Sequence, residues 1–237
     1  MTLENRVAVI SGATGVTGTL AARALAAQGA SLALLGNTQS KLDALAEEVH
    51  VPEERILTHI ADLRERKAVF EAAKAVQAKF GRADILLHLV GGWTGGKTLV
   101  ETPSEDMQNM LDQHLWTTFY MTQAFLPQLN QNGWGRVIII SSPVAVRPTA
   151  KMGAYAIAKA AEETLLLTIA QEAKDNGPST GSGQAVTANI IQVRSIDVKN
   201  EGKGTSPDEI VATILRLCSD EAAKTNAERI PLFRNAK

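Results

Sequence analysis

The fold is decided by the stretch Val7-Ala-Val-Ile-Ser-Gly12-Ala-Thr-Gly15-Val-Thr-Gly18. Its apolar start predicts a short buried strand at 7–10, and three glycines spaced three apart follow at once. Glycines permit a tight turn, and the helix predicted at 16–28 begins with unpaired N–H groups that suit a pyrophosphate. The pattern is weak by itself because any turn can be rich in glycine. Its place directly after the first strand favours a dinucleotide site.

Strands and helices alternate along the rest of the chain. Further strands are predicted at 31–35, 56–60, 85–90, 137–140, 185–192 and 230–233, and further helices at 39–49, 63–80, 105–129, 152–173 and 206–219. Strict alternation predicts an α/β fold with a doubly wound parallel sheet of about seven strands and helices on both faces. We expect one domain over residues 1–237.

Local signals add detail to this outline. Ser104 is expected to cap the helix at 105–129. Ser206 is expected to cap the helix at 206–219, with Pro207 as its first helical residue. Cys218 is expected on the apolar face of the same late helix. The segment 176–183, rich in glycine and serine, is predicted to be a flexible surface loop.

Composition narrows the class of protein. A chain of 237 residues with 45% hydrophobic and 21% charged residues is typical of a soluble globular protein with one sizeable core. Its net charge of −1 gives no electrostatic reason to expect nucleic acid or a membrane surface as a partner. One cysteine excludes an intrachain disulfide and a thiolate metal cluster, so no metal is expected. No apolar run is long enough for a signal peptide or a membrane span, which predicts a cytoplasmic protein.

A tyrosine and a lysine suggest acid–base chemistry. Tyr155 and Lys159 are four positions apart, so they share one face of the helix predicted at 152–173. An ammonium beside a phenol favours the phenolate, which predicts a Tyr155 pKa below the usual value of about 10. Such a tyrosine can exchange a proton with a substrate oxygen near neutral pH. Ser142, at the end of a predicted strand, can hydrogen-bond the same oxygen. The alternative is that Tyr155 and Lys159 only occupy a solvated helix face.

Five motifs together resemble those of the short-chain dehydrogenase/reductase family. In chain order they are Ser11-Gly12-x-x-Gly15-x-x-Gly18, Asp62-Leu63, Gly91-Gly92, Ser142 and Tyr155-x-x-x-Lys159. The resemblance covers residues 6 to about 233, and Tyr155 follows Ser142 by 13 positions, as in that family. It implies a one-domain Rossmann fold that binds NAD(H) or NADP(H) and passes hydride between nicotinamide and a carbonyl or alcohol.

The resemblance also implies a role for each site residue. Tyr155 would be the general acid/base, Lys159 would bind the nicotinamide ribose and lower the tyrosine pKa, Ser142 would hold the substrate oxygen, and Asp62 would lie near the adenine. The predicted catalytic residues are Ser142, Tyr155, Lys159 and His114. The predicted cofactor contacts are Ser11, Gly12, Thr14, Gly15, Val16, Thr17, Gly18, Asn37, Thr38, Asp62, Leu63, Val90, Gly91, Gly92, Tyr155 and Lys159.

The chain departs from the family's pattern at several positions. His88-Leu-Val-Gly91 stands where most of the family has Asn-Asn-Ala-Gly, and His114 where a helical asparagine usually joins the proton relay. His114 is either a member of that relay or a structural helix histidine. Val193 and Val198 replace the usual proline and threonine after the sixth strand, and only 199–205 separates this strand from the next helix. The alternative to an enzyme is therefore a catalytically weak dinucleotide-binding or regulatory protein.

Gly91-Gly-Trp93-Thr-Gly-Gly96 resembles a stretch of the quinonoid dihydropteridine reductase branch. Trp93 is then either a wall of the pocket or an ordinary surface-loop aromatic. The resemblance favours a small carbonyl, alcohol or cyclic substrate. A homodimer or homotetramer is expected through the long helices that carry His114 and Tyr155.

The choice of cofactor depends on 36–40, which follows the second strand. An acidic residue there binds the ribose 2′-OH and repels a 2′-phosphate. Asn37 holds the deciding position, and Thr38, Ser40 and Lys41 can donate to a phosphate. NADP(H) is therefore slightly favoured over NAD(H).

Overall fold

A computed structural model describes residues 2–175, 186–199 and 201–233. Seven parallel strands form one sheet in the order β3-β2-β1-β4-β5-β6-β7. This confirms the predicted α/β class and the doubly wound sheet. The strands are β1 (Val7–Ser11), β2 (Ser31–Gly36), β3 (Ile56–Ile60), β4 (Ile85–His88), β5 (Gly135–Ser141), β6 (Val186–Gln192) and β7 (Arg229–Pro231).

Helices cover both faces of the sheet. They are α1 (Val16–Ala27), α2 (Gln39–Glu48), α3 (Arg66–Phe80), α4 (Ser104–Leu111), α5 (Thr117–Gln131), α6 (Gly153–Asp175) and α7 (Pro207–Cys218). Side chains alternate across each strand, so Val7 and Val9 of β1 enter one core while Ala8 and Ile10 enter the other. The first core packs against α3, α5 and α6, and the second against α1, α2 and α7.

The segment 105–129 is helical throughout, as predicted, but the helix is not uniform. It is two helices, α4 and α5, joined by a π-helical turn over Asp112–Trp116. The backbone stays α-helical at Leu111, Trp116 and Thr117, so residue propensities on either side favour a helix and do not reveal the turn. The turn carries His114. Ser104 was wrong as a cap, because Pro103 occupies that position and Ser104 is the first helical residue.

Other boundaries moved by a few residues. The helix predicted from 63 begins at Arg66, the fourth strand ends at His88 instead of 90, and the last strand is Arg229–Pro231 instead of 230–233. Ser206 caps α7 as predicted, accepting a hydrogen bond from the Glu209 N–H at 3.1 Å. Cys218 is buried in the same helix, also as predicted. The predicted loop at 176–183 lies outside the described residues.

The reversal of strand order at β1 positions the site. The chain runs outward from β1 through β2 to β3 and then crosses back to β4 on the other side of β1. This reversal of strand order opens a crevice at the carboxyl ends of β1 and β4. Gly12 lies in this crevice with φ +70°, a conformation that glycine adopts without strain. Gly18, in the first turns of α1, packs against the carbonyl groups of Gly12 and Ala13.

Gly18→Ala tests this packing. A Cβ at Gly18 would overlap the Gly12 carbonyl oxygen and lie 2.7 Å from that of Ala13, both of them backbone atoms. We expect the free energy of unfolding to fall by about 1–3 kcal/mol, measured by urea denaturation. Gly15→Ala is the control, because its Cβ would meet only the Gly12 oxygen at 3.4 Å, an ordinary contact. Equal losses in the two variants would contradict this account.

Candidate active site

Two cavities open at the carboxyl ends of the strands. A cleft of about 1180 Å³ is lined by Ser142, Tyr155, Lys159 and His114 among others. A second cavity of about 360 Å³ is lined by Gly12, Thr14, Asn37, Asp62 and Leu63 among others. Val90 lines both, so the cavities share a wall. An elongated ligand with a polar middle fits this pair of adjoining spaces.

The N-terminus of α1 suits the middle of such a ligand. Gly15 is its N-cap, and no side chain caps the helix. The N–H groups of the first turn are therefore available to an anion. A Cβ at Gly15 would occupy the space in front of this turn without meeting other backbone closely. The described residues thus fit the pyrophosphate of a nicotinamide dinucleotide.

Ser142, Tyr155 and Lys159 converge in the large cleft. Ser142 follows β5, while Tyr155 and Lys159 lie one turn apart on α6. The Ser142 and Tyr155 side chains line the same cleft and are near enough for Ser142 to influence the Tyr155 pKa. The Lys159 ammonium donates to the Ile140 carbonyl at 2.8 Å and to the Glu162 carboxylate at 2.7 Å. The interpretation of Tyr155 and Lys159 as a solvated helix face does not fit, since Lys159 is only 4% exposed.

The Tyr155 pKa differs from the sequence-based expectation. Burial raises it above its usual value of 10, and the Glu162 carboxylate raises it further. The Lys159 ammonium and the Ser142 side chain act in the opposite direction but are outweighed. The predicted fall in pKa was therefore wrong for the ligand-free protein. Tyr155 holds its proton at neutral pH and is placed to donate it.

His114 lies next to Tyr155, in the π-helical turn. Its Nε2–H donates to the Gly92 carbonyl at 2.9 Å, and its ring lies edge-on to the Tyr155 ring, 5.5 Å between centroids. Burial, and then the Lys159 charge, lower the His114 pKa to about 3, so the imidazole is neutral. A Cβ on Gly91 would lie 2.5 Å from the His114 ring, so glycine there makes room for the histidine.

His88 lies near Lys159 and His114, and the sequence did not reveal its hydrogen-bond partners. Its Nδ1 lies 2.6 Å from the Ser11 hydroxyl and its Nε2 lies 3.1 Å from the Thr117 hydroxyl. Burial foremost, with the charges of Lys159 and His114, lowers the His88 pKa to about 3. The imidazole thus bridges β1, β4 and α5. Ser11 consequently turns its side chain into the core.

The second cavity contains one cation among its lining residues, Arg64. Arg64 binds Asp62 through two N–H groups, at 3.0 and 2.7 Å, and this hydrogen bonding lowers the Asp62 pKa. Asn37 accepts a hydrogen bond from the Thr38 hydroxyl at 3.2 Å. Arg64 lies two residues beyond the predicted contact Asp62, and a search for cations near the end of the third strand would have found it.

The outer part of the cleft combines apolar and cationic groups. Trp93 lines it while remaining 60% exposed, so it fits both a pocket wall and a surface-loop aromatic. Arg147 and Arg194 line it as well. The segment after β6 is held by Asp197, whose carboxylate accepts backbone N–H groups of residues 201, 202 and 203 at 2.9, 2.7 and 3.2 Å.

The remaining predicted contacts fall into two groups. Thr17, Gly91 and Gly92 line the large cleft together with the predicted catalytic residues. Five predicted contacts line neither cavity, and their roles stay predictions: Ser11, Gly15, Val16, Gly18 and Thr38. No group of three His, Cys, Asp or Glu side chains is placed to hold a metal ion within the described ranges. No helix in the described part of the chain is long and apolar enough to cross a membrane.

The sheet order, the glycine turn and the Ser-Tyr-Lys cluster define a dinucleotide-binding α/β protein of the oxidoreductase class. A family model described as short chain dehydrogenase matches residues 6–205. This chain belongs to that family.

Individual proteins show how far the similarity extends. An uncharacterized oxidoreductase (MT0954) of Mycobacterium tuberculosis strain CDC 1551 / Oshkosh is 34% identical over 160 residues, which are 67% of this chain and 60% of that protein. A D-beta-hydroxybutyrate dehydrogenase of Rhizobium meliloti strain 1021 is 26% identical, and 96% of each chain is covered. A solved Pseudomonas syringae structure, assigned to the short chain dehydrogenases, is 29% identical with a TM-score of 0.85, covering 98% of this chain and 96% of that one.

Proposed function

We propose that this protein transfers hydride between a nicotinamide cofactor, NAD(H) or NADP(H), and a small carbonyl, alcohol or cyclic substrate. The convergence of Ser142, Tyr155 and Lys159 in the large cleft supports this most directly. The cofactor, when bound, supplies or accepts the hydride. The protein has to hold the substrate oxygen, move one proton and orient the partners.

Each of the three residues has a defined task in this reaction. The hydroxyls of Ser142 and Tyr155, which both line the large cleft, donate to the substrate oxygen. In reduction, the Tyr155 O–H bond breaks and its proton passes to the oxygen as negative charge develops there; in oxidation the proton returns. Lys159 has two of its three N–H groups engaged by Ile140 and Glu162, which leaves one for the nicotinamide ribose.

A catalytically weak binding protein is the second candidate. Val198, at the position of the family's threonine, is 56% exposed, and Val193, at the position of the proline, is buried at 6% exposure. Neither valine side chain can hydrogen-bond a nicotinamide amide. The same fold would then bind a dinucleotide with slow or absent turnover.

The charges in the cleft favour a substrate with an anionic group. Among the described residues that line it there are cations but no Asp or Glu. Lys159 and Arg229 are each paired with a buried glutamate, whereas Arg147 forms no ion pair with a described residue and Arg194 lies over the Phe233 ring. The Rhizobium relative is named for hydroxybutyrate, a carboxylate. We propose a small oxo or hydroxy acid as the substrate class.

The second cavity favours NADP(H) modestly. Asn37 carries no charge that would repel a 2′-phosphate, and the Arg64 guanidinium lines the same cavity. Asp62 lines it too, but it is engaged by Arg64.

A homodimer or homotetramer through α5 and α6, and a cytoplasmic location, remain part of the proposal. Trp116, in the π-helical turn, and Ile157, in α6, are exposed apolar residues that such an interface would cover.

Tyr155→Phe tests the proposed reaction. The variant keeps the ring and loses the proton, so turnover should fall by about 10²–10⁴-fold while NADPH still binds, as followed by nucleotide fluorescence. Tyr120→Phe is the matched control, because Tyr120 is the other of the two tyrosines in the chain. Turnover within a few-fold of the parent would exclude Tyr155 as the proton donor.

Arg147→Ala and Arg194→Ala test the substrate class. Short 3-oxo acids and their methyl esters are compared as substrates for NADPH oxidation. A partly exposed ion pair is worth up to about 1 kcal/mol, so each variant should raise KM for the acid about fivefold and leave the ester unchanged. Lys74→Ala, an exposed cation on α3 outside both cavities, is the control. Equal use of acid and ester by the parent would contradict an anionic substrate.

Asn37→Asp tests the choice of cofactor. The new carboxylate would repel a 2′-phosphate and accept a hydrogen bond from a 2′-OH, so preference should shift toward NADH. Titration of both reduced cofactors into parent and variant measures the shift. The parent is expected to bind NADPH a few-fold more tightly. Tenfold tighter binding of NADH by the parent would show that Asn37 does not act in this way.

A further inference from the structure

Glu162 is a buried carboxylate that the proposed reaction does not use. It lies on α6, three residues after Lys159, and is 1% exposed. Its Oε2 accepts the Lys159 ammonium at 2.7 Å, and its Oε1 accepts the Thr118 hydroxyl at 3.1 Å. A carboxylate so far from water is costly unless it is paired and hydrogen-bonded. Glu162 is paired with Lys159, the lysine assigned to the reaction, and hydrogen-bonded to Thr118, and both contacts oppose the rise in the Glu162 pKa that burial causes.

Few other charged or titratable groups surround this pair. The Nδ1 of His114, from the π-helical turn, faces Glu162 Oε2 at 3.8 Å and has no hydrogen-bond partner among the described residues. His88 approaches from β4 and is neutral. Glu163 is engaged by Arg229 from β7 and Gln192 from β6, at 2.6 and 2.9 Å. On the α4 side, Met107 and Met110 pack against Tyr155 and carry no charge.

Two consequences follow for Lys159. Its ammonium is fixed between a backbone carbonyl on β5 and a carboxylate on its own helix, so one N–H direction remains for a ligand. Glu162 also offsets the positive charge of Lys159. Because the pair is buried, this offset acts strongly on neighbouring groups. Tyr155, one turn away, therefore feels less positive potential than a lone lysine would provide. The direction of the Tyr155 pKa, raised by burial and by Glu162, agrees with this.

We propose that Glu162 is a positioning residue for Lys159 and that it adapts the site to carbonyl reduction, by keeping on Tyr155 the proton that reduction consumes. The proposal rests on the proposed function. Reduction requires the phenol, and oxidation requires the phenolate. With Glu162 in place, Tyr155 stays protonated from neutral to mildly alkaline pH. Without Glu162, the uncompensated Lys159 ammonium favours the phenolate.

Direct titration of Tyr155 tests the electrostatic part without substrate or cofactor. Because the chain has two tyrosines, Tyr120→Phe leaves Tyr155 as the only phenol, whose ionisation is followed by ultraviolet difference absorbance. Circular dichroism at each pH restricts the titration to folded protein. In this background, Glu162→Gln should move the midpoint to lower pH. Glu163→Gln, equally buried on the same helix but engaged by Arg229, should move it less. An unchanged or higher midpoint in Glu162→Gln would overturn the proposal.

The pH profile of carbonyl reduction tests the consequence for turnover. The rate should be constant at low pH and fall as Tyr155 ionises, so Glu162→Gln should move the falling limb to lower pH. It should also raise the KM for the cofactor, since Lys159 loses one of its two fixed contacts. A uniform loss of kcat with the limb unmoved would show a merely structural role and overturn the proposal. If the parent shows no cofactor-dependent turnover, the proposed function fails, while the tyrosine titration still decides the role of Glu162.

Discussion

The parallel pairing of β4 with β1 and β5 is the constraint on which the site depends. Parallel strands end at the same edge of the sheet, so groups far apart in sequence meet there. Ser11 and His88, paired in register on neighbouring strands, are joined through their side chains. Ile140, near the end of β5, offers the carbonyl that holds Lys159. A shift of one residue in either pairing would turn these groups to the opposite face of the sheet.

A polar layer runs through this edge of an otherwise apolar core. His88, Thr117, His114, Thr118 and Glu162 are all nearly inaccessible to water. Their hydrogen bonds connect β4, the π-helical turn, α5 and α6. Groups buried in this way stabilise one arrangement only if most of their hydrogen bonds are made, and here His114 Nδ1 is the exception. Removing a single member would leave its partner with an unsatisfied polar atom in a dry environment.

Local sequence carries much of this architecture, but not the interactions that act at a distance. Apolar runs and glycines were sufficient for the strands, the sheet class and the turn at Gly12, because these depend on neighbouring residues. Tyr155 and Lys159 could be placed on one helix face by spacing alone. The net direction of the Tyr155 pKa could not, since burial depends on the packing of α4 against α6. Glu162 has the sequence context of any charged helix residue, and only the fold shows that it faces Lys159 instead of water.

Hydrogen bonds connect the two described parts of the segment that follows β6, residues 193–199 and 201–205. One carboxylate, that of Asp197, ties down three successive backbone N–H groups, and Ile196 forms a bridge with Thr205. These contacts reduce the conformational entropy that a ligand in the cleft would have to remove from residues 197 and 201–205.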